Sequence, residues 1–245
     1  MKRLTVICLS FLLLTSCKFY QKHSGNLNKM HDGVLVIETV GKYKSGKEGK
    51  MKAIAFPLEN NLIVALTHAT QFPRERIIFT PLGVISTPLV VEWEKNYLNG
   101  KELELVGREN DVSFFRADVE PLCKLGDSDK LELGTELSVM GYSFNRDINF
   151  KTGVVSVLDT KDEMYKSTTP LKDLFIHTVP LNPGDSGSPV FAKGYNGMEI
   201  VGIANAVSNG VGIGFAIRIN VVKEAAKKFG EDLYDTQTEK TATEG

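Results

Sequence analysis

Short apolar runs, some alternating with polar residues and some continuous, recur along most of the chain and are separated by Gly, Asn, Asp and Pro. Such spacing predicts strands rather than helices. Strands over Val34 to Val40 and Lys52 to Phe56 flank a hairpin rich in Gly and Lys, and Asn60-Asn61 turns the chain into the run Leu62-Ile63-Val64-Ala65-Leu66. Further strands are expected at Arg76 to Phe79, Leu89 to Trp93, Leu103 to Val106 and Val112 to Arg116. After a linker over Pro121 to Lys130, a second group follows at Glu136 to Gly141, Gly153 to Leu158, Phe175 to Val179, Pro189 to Phe191, Glu199 to Ala204 and Gly214 to Ile217. This all-β pattern is long enough for one large domain or for two small barrels, about 33–120 and 131–219. A helical period appears only near the end, where Val221, Val222, Ala225, Ala226 and Phe229 share one face, with Asn220 as the expected cap and Gly230 as terminator.

The two ends differ from this body. Lys2 and Arg3 precede an apolar run from Leu4 to Leu14, shorter than the roughly 20 residues a membrane-spanning helix needs, and Leu14-Thr15-Ser16-Cys17 follows. That order predicts an export signal over 1–16. Its end resembles the bacterial lipobox, which implies that Cys17 is acylated and becomes the new N-terminus. The alternative is an ordinary signal peptide with an incidental cysteine. Residues 17–31 are polar and are expected to form a tether, 32–230 the folded domain, and 231–245 a disordered tail.

Composition changes this picture in two places. The formal charge is -1, and losing Lys2 and Arg3 with the leader takes it to -3, so no global basic field attracts nucleic acid. Of three cysteines only Cys123 lies in the folded part, so no disulfide can form within the domain and its core must hold it. Cys123 is expected to be a small buried apolar residue. No His, Cys, Asp and Glu cluster has metal-ligand spacing, and no metal or other cofactor is expected. Lys42, Lys44, Lys47, Lys50 and Lys52 punctuate the first hairpin, most simply as a solvated loop.

The chemistry concentrates at Asn182-Pro183-Gly184-Asp185-Ser186-Gly187-Ser188-Pro189. A serine between glycines, in a turn too tight for bulky side chains, can set a nucleophilic hydroxyl beside backbone N–H donors for an oxyanion. Two partners stand upstream. His68 follows a buried-strand run, where a general base can sit, and Asp111 opens the run Val112-Ser113-Phe114-Phe115, where a carboxylate can orient an imidazole. Singly, such a histidine is more often structural and such an aspartate more often a turn cap. His177 lies in an alternating strand, where packing is favoured over substrate contact.

The order His68, Asp111, Ser186, with these local contexts, resembles the chymotrypsin-fold serine proteases from about Gly33 to Asn220. Phe175-Ile176-His177-Thr178, Thr152-Gly153-Val154-Val155-Ser156 and Gly212-Ile213-Gly214-Phe215-Ala216-Ile217 resemble the HtrA/Do-like branch. The resemblance implies two six-stranded antiparallel barrels, with His68 as base, Asp111 as its orienter and Ser186 as nucleophile. It implies an oxyanion hole of the Gly184 and Ser186 amides and polypeptide substrates that pair along Gly202 to Ala206. It also implies a specificity pocket with Pro180 at its base and Asn205, Ala206, Val207 and Gly214 around it. With no buried acid at Pro180, cleavage after small or medium aliphatic residues is expected, with glutamate as the rival through His177 or a serine.

There are departures. That branch commonly has Asn before the serine and Gly two after it, whereas Asp185 and Ser188 stand here, and PDZ-gated regulation is not carried over. In many trypsin-like zymogens a newly cut N-terminal amine inserts beside the acid at the Asp185 position. An acylated Cys17 could not supply it, so Asp185 is expected to find another partner, a backbone amide or a Lys or Arg. The functional expectation is therefore an envelope-anchored serine endopeptidase. A protease-like binding module or an adhesin lipoprotein is the alternative, disfavoured because binding has no chemical need for all three residues.

Overall fold

A computed structural model describes residues 27–28, 30–73, 75–80, 83–159, 169–194, 197–207 and 212–233. The expected leader, Cys17 and most of the expected tether lie outside them. The chain is built from strands in two groups, as the apolar pattern predicts. The first contains β1 (Leu35–Tyr43), β2 (Glu48–Pro57), β3 (Leu62–Leu66), β4 (Glu75–Thr80), β5 (Gly83–Pro88), β6 (Val91–Leu98), β7 (Lys101–Glu102), β8 (Glu104–Glu109) and β9 (Val112–Arg116), with the one-turn helix α1 (Thr67–Thr70) after β3. The second contains β10 (Glu136–Gly141), β11 (Asn149–Val157), β12 (Leu174–His177), β13 (Pro189–Gly194), β14 (Gly197–Val207) and β15 (Gly214–Arg218), followed by α2 (Ile219–Lys227).

The second group closes into a six-stranded barrel in the order β10-β11-β12-β15-β14-β13. The first is a curled seven-stranded sheet, β7-β6-β1-β2-β3-β9-β8, with β4 and β5 as a separate hairpin. One edge of that sheet is the two-residue β7, too short to pair further. Alternation decides which faces are buried. In β1 every second residue from Ile37 to Gly41 is buried, whereas every residue of β3 is buried because both of its faces are covered.

A core cluster that includes Ile54, Phe56, Val64, Phe114, Leu174, Phe191, Ile203 and Ile217 draws on both strand groups, and a second around Val139, Phe175, Val190 and Ala216 fills the barrel. Each fully buried Phe, Leu or Ile contributes about 1.5–3 kcal/mol relative to exposure. The linker belongs to this packing. Leu125 bridges Ile200, the Lys223 ammonium donates to Gly126 O at 2.7 Å, and the Asn220 amide donates to Asp127 at 2.8 Å, which holds that carboxyl below its usual range.

Three boundaries are corrected. The helix opens at Ile219 with Arg218 in the cap position, so Asn220 lies inside it, and the Ser128 hydroxyl accepts the Asn220 N–H at 3.2 Å. The packed chain starts earlier than residue 32, since Met30, read as tether, is 4% exposed in the core. It also runs beyond 230, because Leu233 is 2% exposed and Glu231 pairs with Arg116 at 2.6 Å. Gly230 does end the helix. It has φ +81°, its N–H donates to Lys227 O, and that of Glu231 donates to Ala226 O.

Candidate active site

Asp111 is placed by a hairpin. Two residues, Asn110 and Asp111, join β8 to β9, and both have positive φ, 48° and 63°, as a type I′ turn requires. Asn and Asp tolerate that conformation better than other non-glycine residues. The turn faces α1 across the β3–β9 pair, where Leu66 opposes Val112. Thr67 N–H donates to Asp111 O at 2.8 Å and His68 N–H to Asp111 Oδ1 at 3.0 Å, so the backbone of α1 is fastened before its imidazole is considered. His68 Nδ1 then meets Asp111 Oδ2 at 2.7 Å. Since a carboxylate only accepts, Nδ1 is the donor, and in a neutral imidazole that leaves the Nε2 lone pair free. The carboxylate side chain is 5% exposed and the imidazole 46%, so the carboxylate is shielded while the imidazole is open at the surface.

A bulge supplies the next link. The β14–β15 register shifts between Ala204 and Ala206, leaving Asn205 as the extra residue. Its amide donates to Asp111 Oδ2 at 3.0 Å, and its carbonyl accepts the Ser186 hydroxyl at 3.1 Å. His68, Asp111, Asn205 and Ser186 thus form one continuous hydrogen-bonded chain across the two strand groups. The expected substrate strand contained Asn205, but its grip on Asp111 was not legible, because only the bulge aims the side chain there.

The Ser186 loop is two linked turns. Asp185 N–H donates to Asn182 O at 3.0 Å, with Pro183 second and Gly184, at φ +97°, third; Ser188 N–H donates to Asp185 O at 3.0 Å, with Gly187, at φ +93°, third. Both are type II, which explains Pro and Gly at those positions. Gly187 N–H donates to Ala204 O at 2.8 Å. Among the described residues the amides of Gly184 and Ser186 have no acceptor, and these are the expected oxyanion donors. A side chain at Gly187 would also overlap Ile54 O of the neighbouring sheet.

Asp185 has the expected substitute partner. Its side chain, 1% exposed, pairs with Lys151 on β11, accepts Asn182 N–H at 2.6 Å and lies 3.0 and 3.1 Å from the Ser143 hydroxyl. Lys151, Ser143 and Phe144 were not singled out from the sequence.

The expected specificity residues are partly gathered. Val207 pairs with Gly214 across β14–β15, beside Ala206, while Pro180 is exposed in the connection after β12. His177 is fully buried, packed against Phe175 at 6.0 Å, and its Nδ1 accepts Val179 N–H at 3.2 Å. A side chain at Gly214 would overlap its ring, which therefore stands directly behind that strand. Burial pushes His177 down to about 4, so it is neutral at neutral pH.

Residues 74–203, rather more than half of the chain, match the trypsin-like peptidase domain; the match includes Asp111 and Ser186 and starts six residues after His68. A probable periplasmic serine endoprotease DegP-like of Halomonas elongata is 34% identical over 148 residues, 55% of this chain and 29% of that protein. A putative serine protease HhoB of Synechocystis is 30% identical over 148 residues, 58% of this chain and 34% of that protein. The chain thus spans about a third of the length of these relatives. Among solved structures, the HtrA-type protease AlgW with tripeptide is similar with TM-score 0.58 and 20% identity over 83% of this chain and 63% of that one. The Rv3671c protease in its inactive form gives 0.56 and 14% over 84% and 93%. The structural likenesses carry the chymotrypsin-like fold, and the family match carries membership: this chain belongs to the trypsin-like peptidase domain family.

Proposed function

We propose that this protein is a serine endopeptidase of the bacterial cell envelope, with His68 as general base, Asp111 as its orienter and Ser186 as nucleophile. The observation that carries the reading is the unbroken chain of hydrogen bonds from His68 through Asp111 and Asn205 to Ser186. The names of the relatives, one a probable periplasmic serine endoprotease and the other a putative serine protease, support it.

In the reaction, rotation about the Ser186 side chain redirects its hydroxyl from Asn205 O to the free Nε2 lone pair of His68. Oγ attacks the peptide carbonyl carbon as Nε2 takes its proton, and the carbonyl electron pair moves onto oxygen. The amides of Gly184 and Ser186 receive that oxyanion. Collapse expels the amine, which takes the proton from His68, and leaves an ester on Ser186. Water, deprotonated by His68, then attacks the ester carbon, the acid product leaves, and Ser186 Oγ takes the proton back from His68. Asp111 stays ionised and stabilises the imidazolium.

Around Pro180, Asn205, Ala206, Val207 and Gly214 the pocket is assigned to small or medium aliphatic side chains. The neutral state of His177 supports this over glutamate, since a buried uncharged imidazole offers an acidic side chain no cation. Acylation of Cys17 would hold the enzyme at a membrane, near polypeptides exposed in the envelope. Digestion of an unfolded protein tests the activity: the wild type releases peptides and Ser186→Ala does not. Sequencing the new ends should give Ala, Val, Leu or Ile before the cut, whereas predominant Lys, Arg or Glu would overturn the pocket assignment.

A further inference from the structure

Asp185 immediately precedes the nucleophile and is almost completely buried, and a buried carboxylate requires a cation and full hydrogen bonding. The cation comes from one strand, and the hydrogen bonds from that strand, from the turn before it and from Asn182 N–H in the loop itself. Lys151 on β11, 10% exposed, pairs with Asp185 Oδ2 and also donates to Ser143 Oγ at 2.6 Å. Ser143 in turn lies within hydrogen-bond distance of both Asp185 oxygens. Gly141, at the end of β10, leaves room for the carboxylate, since a Cβ there would overlap Asp185 Oδ1. The same turn grips the backbone of the nucleophile loop, with Phe144 N–H donating to Pro183 O at 2.6 Å. Phe144 does so from φ +55°, a conformation uncommon for a bulky residue.

The grip has a directional consequence. In a trans peptide the carbonyl and the N–H point to opposite sides, so holding Pro183 O toward Phe144 turns Gly184 N–H away from it, where it is unpaired among the described residues. Rotating that peptide by half a turn would replace a donor with a carbonyl oxygen at the expected oxyanion position.

We infer that Lys151 is a positioning residue: its ammonium, through Asp185, holds the Gly184 and Ser186 amides in working orientation, so that the site is assembled on folding without a newly cut N-terminus. The inference rests on the proposed protease reading. Lys151 belongs to the chain from synthesis and reaches Asp185 from a barrel strand, so no cleavage is needed to deliver the cation. The Ser143 to Asn145 turn carries both other contacts and forms, with Lys151, a latch on the loop.

The test uses the full-length protein, wild type, Lys151→Met, Lys151→Arg, and Lys151→Met combined with Asp185→Asn. Peptide hydrolysis and hydrogen exchange of residues 182–188 are both followed. Losing an ordered oxyanion donor costs about 10²–10³ in rate, so Lys151→Met should lower kcat by about that factor with KM changed less than about threefold. Its loop exchange should rise about tenfold or more while the barrel strands keep their protection. The double variant should recover at least about tenfold over Lys151→Met, because a neutral amide at 185 leaves no buried charge unpaired. Lys151→Arg should retain more activity than Lys151→Met. Versions starting at Lys18 with different extra residues in front, which all keep the buried Met30, should match one another in kcat.

A Lys151→Met protein with near-wild-type kcat and unchanged loop exchange would overturn the inference, as would a double variant no better than the single one, or activity confined to one free native N-terminus. If Lys151→Met does not fold, the double variant carries the comparison with wild type. If even the wild type hydrolyses nothing, the protease reading fails, and the exchange data alone decide whether Lys151 orders the loop.

Discussion

Asp111→Asn is the most informative single change at the proposed site, because the three hydrogen bonds reaching this carboxylate leave a carboxamide no neutral way to sit. Oδ2 accepts from His68 Nδ1 and from the Asn205 amide, while Oδ1 accepts the His68 backbone N–H. If the new NH₂ takes the Oδ2 position, it faces the Asn205 donor and can only donate to His68 Nδ1, which moves the imidazole proton to Nε2 and removes the base. If it takes the Oδ1 position, it confronts the His68 N–H, loosens α1 from the turn, and loses the charge that stabilises the imidazolium. Either orientation forfeits a bond to a partly buried group, about 1–3 kcal/mol, so the protein should remain folded with a modestly lower Tm. The catalytic loss should be far larger, about 10⁴ in kcat, or roughly 5.5 kcal/mol at the transition state. The assay is peptide release from an unfolded protein at neutral pH, with a thermal melt of the same sample. A folded Asp111→Asn protein within about tenfold of wild type would refute the argument, since at least one of tautomer control and charge stabilisation must fail in either orientation.

Other outcomes follow from the same geometry. His177 has a folded-state value of about 4, below its ordinary 6.5, so the unfolded chain binds its proton first as pH falls. Stability contributed by this residue is therefore constant above about 6.5, falls by roughly 1.4 kcal/mol per pH unit between about 6.5 and 4, and levels off below, about 3 kcal/mol in all. Urea unfolding from pH 4 to 7 should show that slope in the wild type and a shallower one in His177→Gln; identical slopes would contradict the buried neutral imidazole. Gly187→Ala places a Cβ against Ile54 O at φ +93° and should cost about 2 kcal/mol or more while displacing Ser186. An Ala variant with unchanged Tm and unchanged activity would show that the loop does not pack against β2 as described.

Local signals located most of the strands, though not β5, and drew attention to the three proposed catalytic residues, since each sits at the end of an apolar run or in a turn whose residue types announce it. Asn60-Asn61 was read as a turn, and both have positive φ. Asn99-Gly100 offered the same signal and was passed over, which is why the two-residue β7 was missed; both of its loop residues have positive φ. The helix cap was misplaced because Asn220 is a good local cap, but tertiary contact with Asp127 and Ser128 uses it instead. The need of Asp185 for a partner was legible only through the resemblance to trypsin-like zymogens, in which an N-terminal amine meets the acid at this position. The identity of that partner was not, because Lys151 precedes it by 34 residues and only the barrel brings them together. Starting β11 at Gly153 hid the remaining clue. With the strand running from Asn149, Lys151 has the parity of Val155, which lies in the barrel core, and a lysine on that face calls for a buried acid.

The central claim is that Ser186 is a nucleophile activated by His68, and covalent labelling tests it most directly. Purified protein treated with an active-site-directed fluorophosphonate at neutral pH should gain a single adduct on the peptide containing Ser186, located by mass spectrometry. Ser186→Ala should gain none there, and His68→Ala should react slower by about 10³ or more, because the hydroxyl then has no base. A folded wild-type protein with no adduct at Ser186, or a His68→Ala variant that labels as fast as wild type, would contradict the account and favour a protease-like binding module.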